Sequence, residues 1–301
     1  MNSHSGYFGP AIIPALRHLW RIFSEPEYRI FQGSLRRFCA AKKSACKTIS
    51  IGSPFSTKVE YIDASSMRSM WEIIMCQKVY DIGPVDHEPW ILDCGANIGL
   101  AQLYWKNRYQ SFKSIAWEPD PAIAAILGHN LHSWQLPTEK RAFALSDVEE
   151  EVSFYSDGSD GGHISGLNVV DCAMHNIVRT ERLGPFLSPQ IDLLKIDIEG
   201  GEHKVLNDVR DQLGVVQNIF IEFHLRNEDE RLSDLLSIIE SARFSYRIED
   251  RIPKWKSPPF LDAHEFNGRQ LRHGHIYCKK IPPMKSSFSN WPHENLTAQR
   301  Q

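Results

Sequence analysis

Along the middle of the chain, short apolar runs alternate with stretches whose apolar residues recur every three to four positions. This succession predicts an α/β fold: a mostly parallel sheet with helices on both faces. The sharpest run is Trp90-Ile91-Leu92, closed by Asp93. It reads as a strand buried on both sides. Further strands are expected over 114–117, 140–145, 192–196 and 215–223. Helices are expected over 100–109, 121–132, a stretch holding Val205, Leu206 and Val209, and 228–243. The second of these begins at Pro121, with Asp120 placed to cap it, as suits a first helical turn. Residues 244–248 and 275–278 are a candidate closing pair of strands. Ahead of this core, 48–51 and 57–62 read as short strands around Gly52-Ser53-Pro54. Residues 70–80, with Trp71, Ile74, Met75 and Val79 at helical spacing, read as a helical cap on the front of the domain. Residues 151–155 and 168–174 are candidate extra strands, with the Gly-, Ser- and Asp-rich loop 157–166 between them.

The turn after the first strand carries the first chemistry. Gly95, Ala96, Asn97 and Gly99 lead into the expected helix, the strand–glycine turn–helix opening of a nucleotide-binding unit. Gly95 opens backbone angles closed to other residues and lets a ligand lie against the main chain. Gly99 is expected to bring the helix close to the strand. The N–H groups at the helix start favour a carboxylate or phosphate. Two features set this loop apart from a dinucleotide loop. Asp93 precedes the first glycine, where it repels a pyrophosphate but can accept from an amine. The spacing Gly95-x-x-x-Gly99 also leaves the G-x-G-x-x-G pattern incomplete. An acid beside a glycine turn suits S-adenosylmethionine, which carries an ammonium, a sulfonium and a single carboxylate.

Open α/β sheets bind ligands beyond the carboxyl ends of their strands. Each expected strand ends there in polar residues: Asp93, then Glu118, then Ser146 and Asp147, then Asp197 and Glu199, then Glu222 and His224. Glu118 follows Gly99 by 19 residues, near the ~20 expected of an acid that accepts from ribose hydroxyls. Nicotinamide enzymes use the same device, so Glu118 argues for an adenosine ligand without choosing which. Ser146 and Asp147 are candidates for the adenine amino group. Asp197 and Glu199 are the strongest catalytic candidates, because residues two apart in an extended segment point the same way. Together with His224 they can hold an acceptor and take its proton. The two acids also fit a divalent cation, but no third ligand is evident, so no metal is expected.

Composition narrows the field. The 301 residues are 42% apolar and 24% charged, with a net charge of -3. That is ordinary for a globular protein and offers no basic field for nucleic acid. No run approaches the ~20 apolar residues of a membrane span, and residues 11–20 make a poor signal peptide. The six cysteines include no C-x-x-C pair, which disfavours a disulfide framework or zinc site and points to a reducing cytoplasm.

The motifs DCGANIGL at 93–100, EPDP at 118–121, LSD at 145–147, LLKIDIEGGE at 193–202 and IEFH at 221–224 resemble the FkbM-type methyltransferases in order and spacing. The resemblance covers roughly residues 90–224 and implies a class I, Rossmann-like methyltransferase. Its sheet would have seven strands, the last of them antiparallel. It further implies S-adenosylmethionine as methyl donor and a hydroxyl on a sugar or small metabolite as acceptor. It puts Asp93, Gly95, Asn97, Gly99, Glu118 and Asp147 on the cofactor, and Asp197 and Glu199 between cofactor and acceptor. The reading therefore divides the chain into an N-terminal helical extension (1–47), a methyltransferase-like domain (48–280, core 90–250) and a flexible tail (281–301). A nicotinamide-dependent oxidoreductase and a non-catalytic nucleotide-binding module stand as the rival readings. The acceptor and the oligomeric state are not legible.

Overall fold

The computed structural model describes residues 48–156, 163–164, 174–188, 190–225, 231–249 and 273–282. The expected extension (1–47), nearly all of the tail, the start of the 228–243 helix and most of the 157–174 segment lie outside these residues.

A hairpin, β1 (Thr48–Ile51) and β2 (Thr57–Glu60), leads into α1 (Ala64–Trp71) and a π turn over Glu72–Cys76. The cap helix thus starts earlier than its apolar spacing indicates. Asp63 sets the start, since its carboxylate accepts from the Ser66 amide at 2.7 Å.

The main sheet comprises β3 (Trp90–Cys94), β4 (Lys113–Trp117), β5 (Glu139–Arg141), β10 (Ile191–Ile196), β11 (Val216–His224), β12 (Phe244–Glu249) and β13 (His273–Lys280). Its spatial order is β12-β13-β11-β10-β3-β4-β5. All neighbours pair parallel except β13, which runs antiparallel to both β11 and β12. The expected seven-stranded, mostly parallel class I sheet is therefore present, with its antiparallel strand inserted between β11 and β12.

The helices α2 (Leu100–Arg108), α3 (Pro121–Ser133), α4 (Glu202–Asp208) and α5 (Leu232–Ser241) connect the strands. Asp120 caps α3 as expected, accepting from the amides of Ala122 (2.8 Å) and Ile123 (3.2 Å). No described helix is long and apolar enough to cross a membrane. Period-two alternation divides the core into two layers. Ile91, Leu193 and Phe220 face Trp71, Met75 and Trp105 on one side; Leu92, Leu194, Ile219 and Ile221 face Val205, Leu206, Leu235 and Ile239 on the other.

One expected strand is divided. Residues 140–145 read as a single apolar alternation, but the chain leaves the main sheet after β5. It then joins a second, four-stranded sheet as β6 (Ala144–Leu145). That sheet runs β6-β9-β7-β8, with β7 (Glu151–Ser156), β8 (His163–Ile164) and β9 (Met174–Glu181). Arg141 pins the exit: its guanidinium bonds Glu181 and Glu139 and lies over the rings of Phe143 and Phe186. The long strand β9 begins where a short one ending at 174 is expected.

Candidate functional site

The chain runs outward from β3 to β4 and β5 on one side, and from β10 to β11 on the other. The β3/β10 boundary is therefore the topological switch point, where such sheets open a crevice. A cavity of about 640 Å³ sits there. The strand ends supply Gly95, Ala96, Asn97, Glu118, Ser146, Lys195, Asp197, Glu199 and Glu222. The cap segment adds Ile73, Ile74 and Tyr80; the second sheet adds Val152, Ser153 and Phe154.

Gly95 is required by packing as much as by any ligand. It sits at φ +87°, and a Cβ there would lie 1.8 Å from the Asp197 carbonyl oxygen. The Asp197 amide donates to the Cys94 carbonyl at 3.1 Å, so the ends of β3 and β10 are laced together through a spot where no side chain fits. Gly99, at φ +90°, serves a neighbour different from the strand expected. Its missing Cβ makes room for Leu127 of α3, whose Cδ1 would be 2.8 Å away. The turn's own amides are mostly spent. Those of Gly95 and Ala96 donate to the Trp117 carbonyl (3.1 and 2.8 Å), and that of Asn97 to Glu118 (2.9 Å). An anion-binding amide cradle at 95–97 is therefore not what the loop presents. The next amides, at Leu100 and Ala101 beside the cavity, head α2 and belong to the helix end that favours an anion.

Glu118 is 6% exposed and lines the cavity. Its two oxygens accept from the Asn97 amide (2.9 Å) and the Asp120 amide (3.0 Å). Burial pushes its carboxyl up to about 7, against the pull of those two amides. A carboxylate has about four acceptor sites, so this one retains capacity for two hydroxyls.

Asp93 lies below the cavity floor and does not line it. It is fully buried, accepts from Gln102 Nε2 at 2.8 Å, and sits 3.2 Å from Lys195 Nζ. Direct acceptance from a ligand amine, as the sequence suggests, is not the position the fold gives this acid. Lys195, itself buried, takes the place above it and lines the cavity. It donates to the Gly95 carbonyl at 2.6 Å, stands 3.6 Å from Asp197, and lies 5.5 Å from the centroid of the Tyr80 ring. Burial opposes its charge, but Asp93, Tyr80 and Asp197 hold its pKa well above the ordinary lysine value. Sequence reasoning misses Lys195. The signal is a lysine inside the strand IDLLKI at 191–196, one position past the register partner of Leu92.

Asp197, Glu199 and His224 do converge, but not through an extended segment. The strand ends at Ile196, and Glu199 sits at φ +59° in the left-handed region. A turn therefore brings the two acids together. His224 Nε2 lies 3.4 Å from Glu199, and its Nδ1 lies 3.2 Å from Glu202. Ligand atoms of Asp197, Glu199 and His224 all fall within 4.8 Å of one another, so a third donor that the spacing does not reveal is present. Burial raises the Asp197 carboxyl to about 7; Lys195 opposes the rise, while Glu222 and Glu199 add to it. The 23% of this side chain that still meets solvent tempers the effect. For His224, burial disfavours the charge, but the bond from Glu202 and the charges of Glu199, Glu202 and Asp197 prevail and raise it to about 9.

Of the residues selected from sequence, Gly95, Ala96, Asn97, Glu118, Ser146, Asp197 and Glu199 line the cavity. Asp93, Gly99, Asp147 and His224 do not. Asp147 is exposed and accepts from the Ser146 hydroxyl at 3.1 Å. Among the described residues, the thiols of Cys94 and Cys278 are buried and free.

The family model described as the methyltransferase FkbM domain matches residues 93–246. "Methyltransferase 1" of Beauveria bassiana is 26% identical over 218 residues, covering 64% of this chain and 85% of that protein. "Methyltransferase sdnD" of Sordaria araneosa is 28% identical over 192 residues, covering 51% and 73%. Among solved structures, an FkbM methyltransferase from Methylobacillus flagellatus aligns at TM-score 0.45 and 12% identity, over 81% of this chain and 58% of that one.

Proposed function

We propose that this chain, which belongs to the FkbM methyltransferase family, uses S-adenosylmethionine to methylate a hydroxyl on a sugar or another small molecule. The observation that carries the reading is the pairing, in one cavity, of a two-amide-anchored carboxylate at Glu118 with the carboxylates of Asp197 and Glu199, the latter backed by the His224 imidazole behind the cavity wall. The first suits ribose hydroxyls; the second suits an acceptor that must lose a proton.

The residues present fit the donor. Glu118 has acceptor capacity left over, the Leu100 and Ala101 amides head a helix beside the cavity, and Lys195 holds the turn's Gly95 carbonyl in place. Ser146, on the cavity wall, is the candidate for the adenine amino group. When bound, S-adenosylmethionine supplies an electrophilic methyl on a sulfonium. The chain's task is then to orient the acceptor oxygen and remove its proton. Asp197, with its carboxyl raised toward neutrality, is the base; Glu199, with His224 beside it at 3.4 Å, fixes the acceptor's approach. The cap segment and the second sheet line the rest of the cavity and limit the acceptor's size. The free thiols of Cys94 and Cys278 suit a reducing cytoplasm.

Separate calorimetric titrations of S-adenosylmethionine, NAD and NADP test the reading. Binding of the first at micromolar affinity with neither dinucleotide bound is expected. Binding of a dinucleotide alone would overturn it.

A further inference from the structure

Beside the cavity, β11 and β13 carry a second group of donors. Glu222 and His224 are two apart on β11, so they share a face. In the ladder, Glu222 pairs with His275 and His224 with His273, which puts all four side chains on that same face. The three imidazoles direct Nε2 at one carboxylate: His273 at 3.0 Å, His275 at 3.3 Å and His224 at 4.0 Å from Glu222 oxygens. Only the His273 contact has hydrogen-bond geometry. His275 Nε2 is buried, its residue 5% exposed, and makes no hydrogen bond. The Nδ1 atoms are turned to other partners, Glu202 for His224 and the Tyr277 hydroxyl (3.4 Å) for His275.

We propose that Glu222, His224 and His273, with His275 beside them, bind one divalent transition-metal ion of the zinc class. Ligand atoms of the first three lie within 4.8 Å of one another. A tetrahedral site with bonds of about 2.0–2.1 Å needs donors roughly 3.3 Å apart, so side-chain adjustments of about 1 Å would close the set. Several imidazoles with one carboxylate favour zinc, iron, cobalt or nickel over magnesium or calcium. The Glu202–His224 contact is the carboxylate–histidine arrangement that turns the other ring nitrogen to a metal. Gly274 lets the two strands stay close, since a Cβ there would lie 2.9 Å from the Glu249 carbonyl and 3.1 Å from the Phe223 ring. Of these four residues, only Glu222 lines the cavity. The ion would therefore stand at its edge, with an open position for an oxygen of the acceptor. That role rests on the methyltransferase reading; the ion's binding does not.

The test uses the full chain, stripped with chelator and then titrated with Zn²⁺ alone, without donor. One zinc per chain after dialysis, a raised melting temperature, and a visible Co²⁺ spectrum on cobalt loading are expected. His273→Gln and His275→Gln should weaken zinc binding at least about tenfold, and the exposed-site control His129→Gln should not. If both ladder variants bind zinc as the wild type does, or the wild type retains none, the proposal is overturned. Should the variants fail to fold, the wild-type melting shift and cobalt spectrum decide it alone. S-adenosylmethionine affinity, titrated on the metal-free protein, separates this outcome from the donor reading.

Discussion

Asp93 and Lys195 face each other across neighbouring strands, 3.2 Å apart, one fully buried and the other 2% exposed. An acid and a lysine kept from water at the floor of a ligand cavity must be matched to each other. Removing one leaves the other uncompensated, which typically costs about 3–5 kcal/mol. Lys195→Met is therefore expected to lower the urea-unfolding free energy by about that much. Lys195→Met with Asp93→Asn should lose less than the two single changes together. An additive cycle would show that the pair does not interact.

Gly95→Ala is expected to be more damaging than an ordinary loop substitution. The new methyl would meet the Asp197 carbonyl at 1.8 Å, at a backbone angle that alanine resists. A drop in melting temperature together with loss of donor affinity is expected. Gly52→Ala, which has open space around it, serves as the control. Calorimetry and thermal melting of both variants read this directly.

Asp197→Asn should lower kcat by about 10²–10⁴-fold, with the S-adenosylmethionine dissociation constant nearly unchanged. In the wild type, kcat/KM should rise as pH passes about 7, where Asp197 loses its proton. In the metal-free protein it should fall again above about 9, where His224 gives up its charge beside Glu199. Both apparent values belong to the coupled group. A profile flat between pH 6 and 8 would remove Asp197 from the role of base.

Glu118 has its carboxyl raised from 4.5 to about 7. The folded state therefore favours its protonated form, so this contribution to stability is fully present below about pH 4.5 and is lost as pH rises through about 7. Glu118→Gln should flatten the stability–pH curve across that interval. It should also weaken donor binding by about 1.5–3 kcal/mol, the scale of hydrogen bonds to a charged group. Chemical denaturation at several pH values and a binding titration measure the two effects.

The central strands are readable because a strand buried on both faces leaves consecutive apolar residues, as at Trp90-Ile91-Leu92 and Leu193-Leu194. The division after Arg141 was not readable, since 140–145 keeps one alternation while the backbone changes sheets. What divides it is a contact with Glu181, forty residues on. The meeting of Asp197 with Glu199 was anticipated for the wrong geometric reason, because a left-handed Glu199 cannot be read from period two. His273 and His275 escaped notice because their partners lie on another strand, and only the β11–β13 register reveals them. The placement of Asp93 was misjudged through Lys195: a lysine inside an apolar strand reads as a local anomaly until the acid beneath it is seen.

The detour that Arg141 anchors has a consequence for how this architecture can change. The four-stranded sheet enters and leaves between β5 and β10 without donating a strand to the main sheet. It nevertheless contributes Val152, Ser153 and Phe154 to the cavity. On the proposed reading, the acceptor side can thus diverge by exchanging a single inserted unit, while Glu118 and the Gly95–Gly99 turn stay with the main sheet and, of the donor-side candidates, only Ser146 and Asp147 travel with the insert. Grafting residues between the Arg141 pin and Ile191 from one relative onto another is the recombination this layout permits.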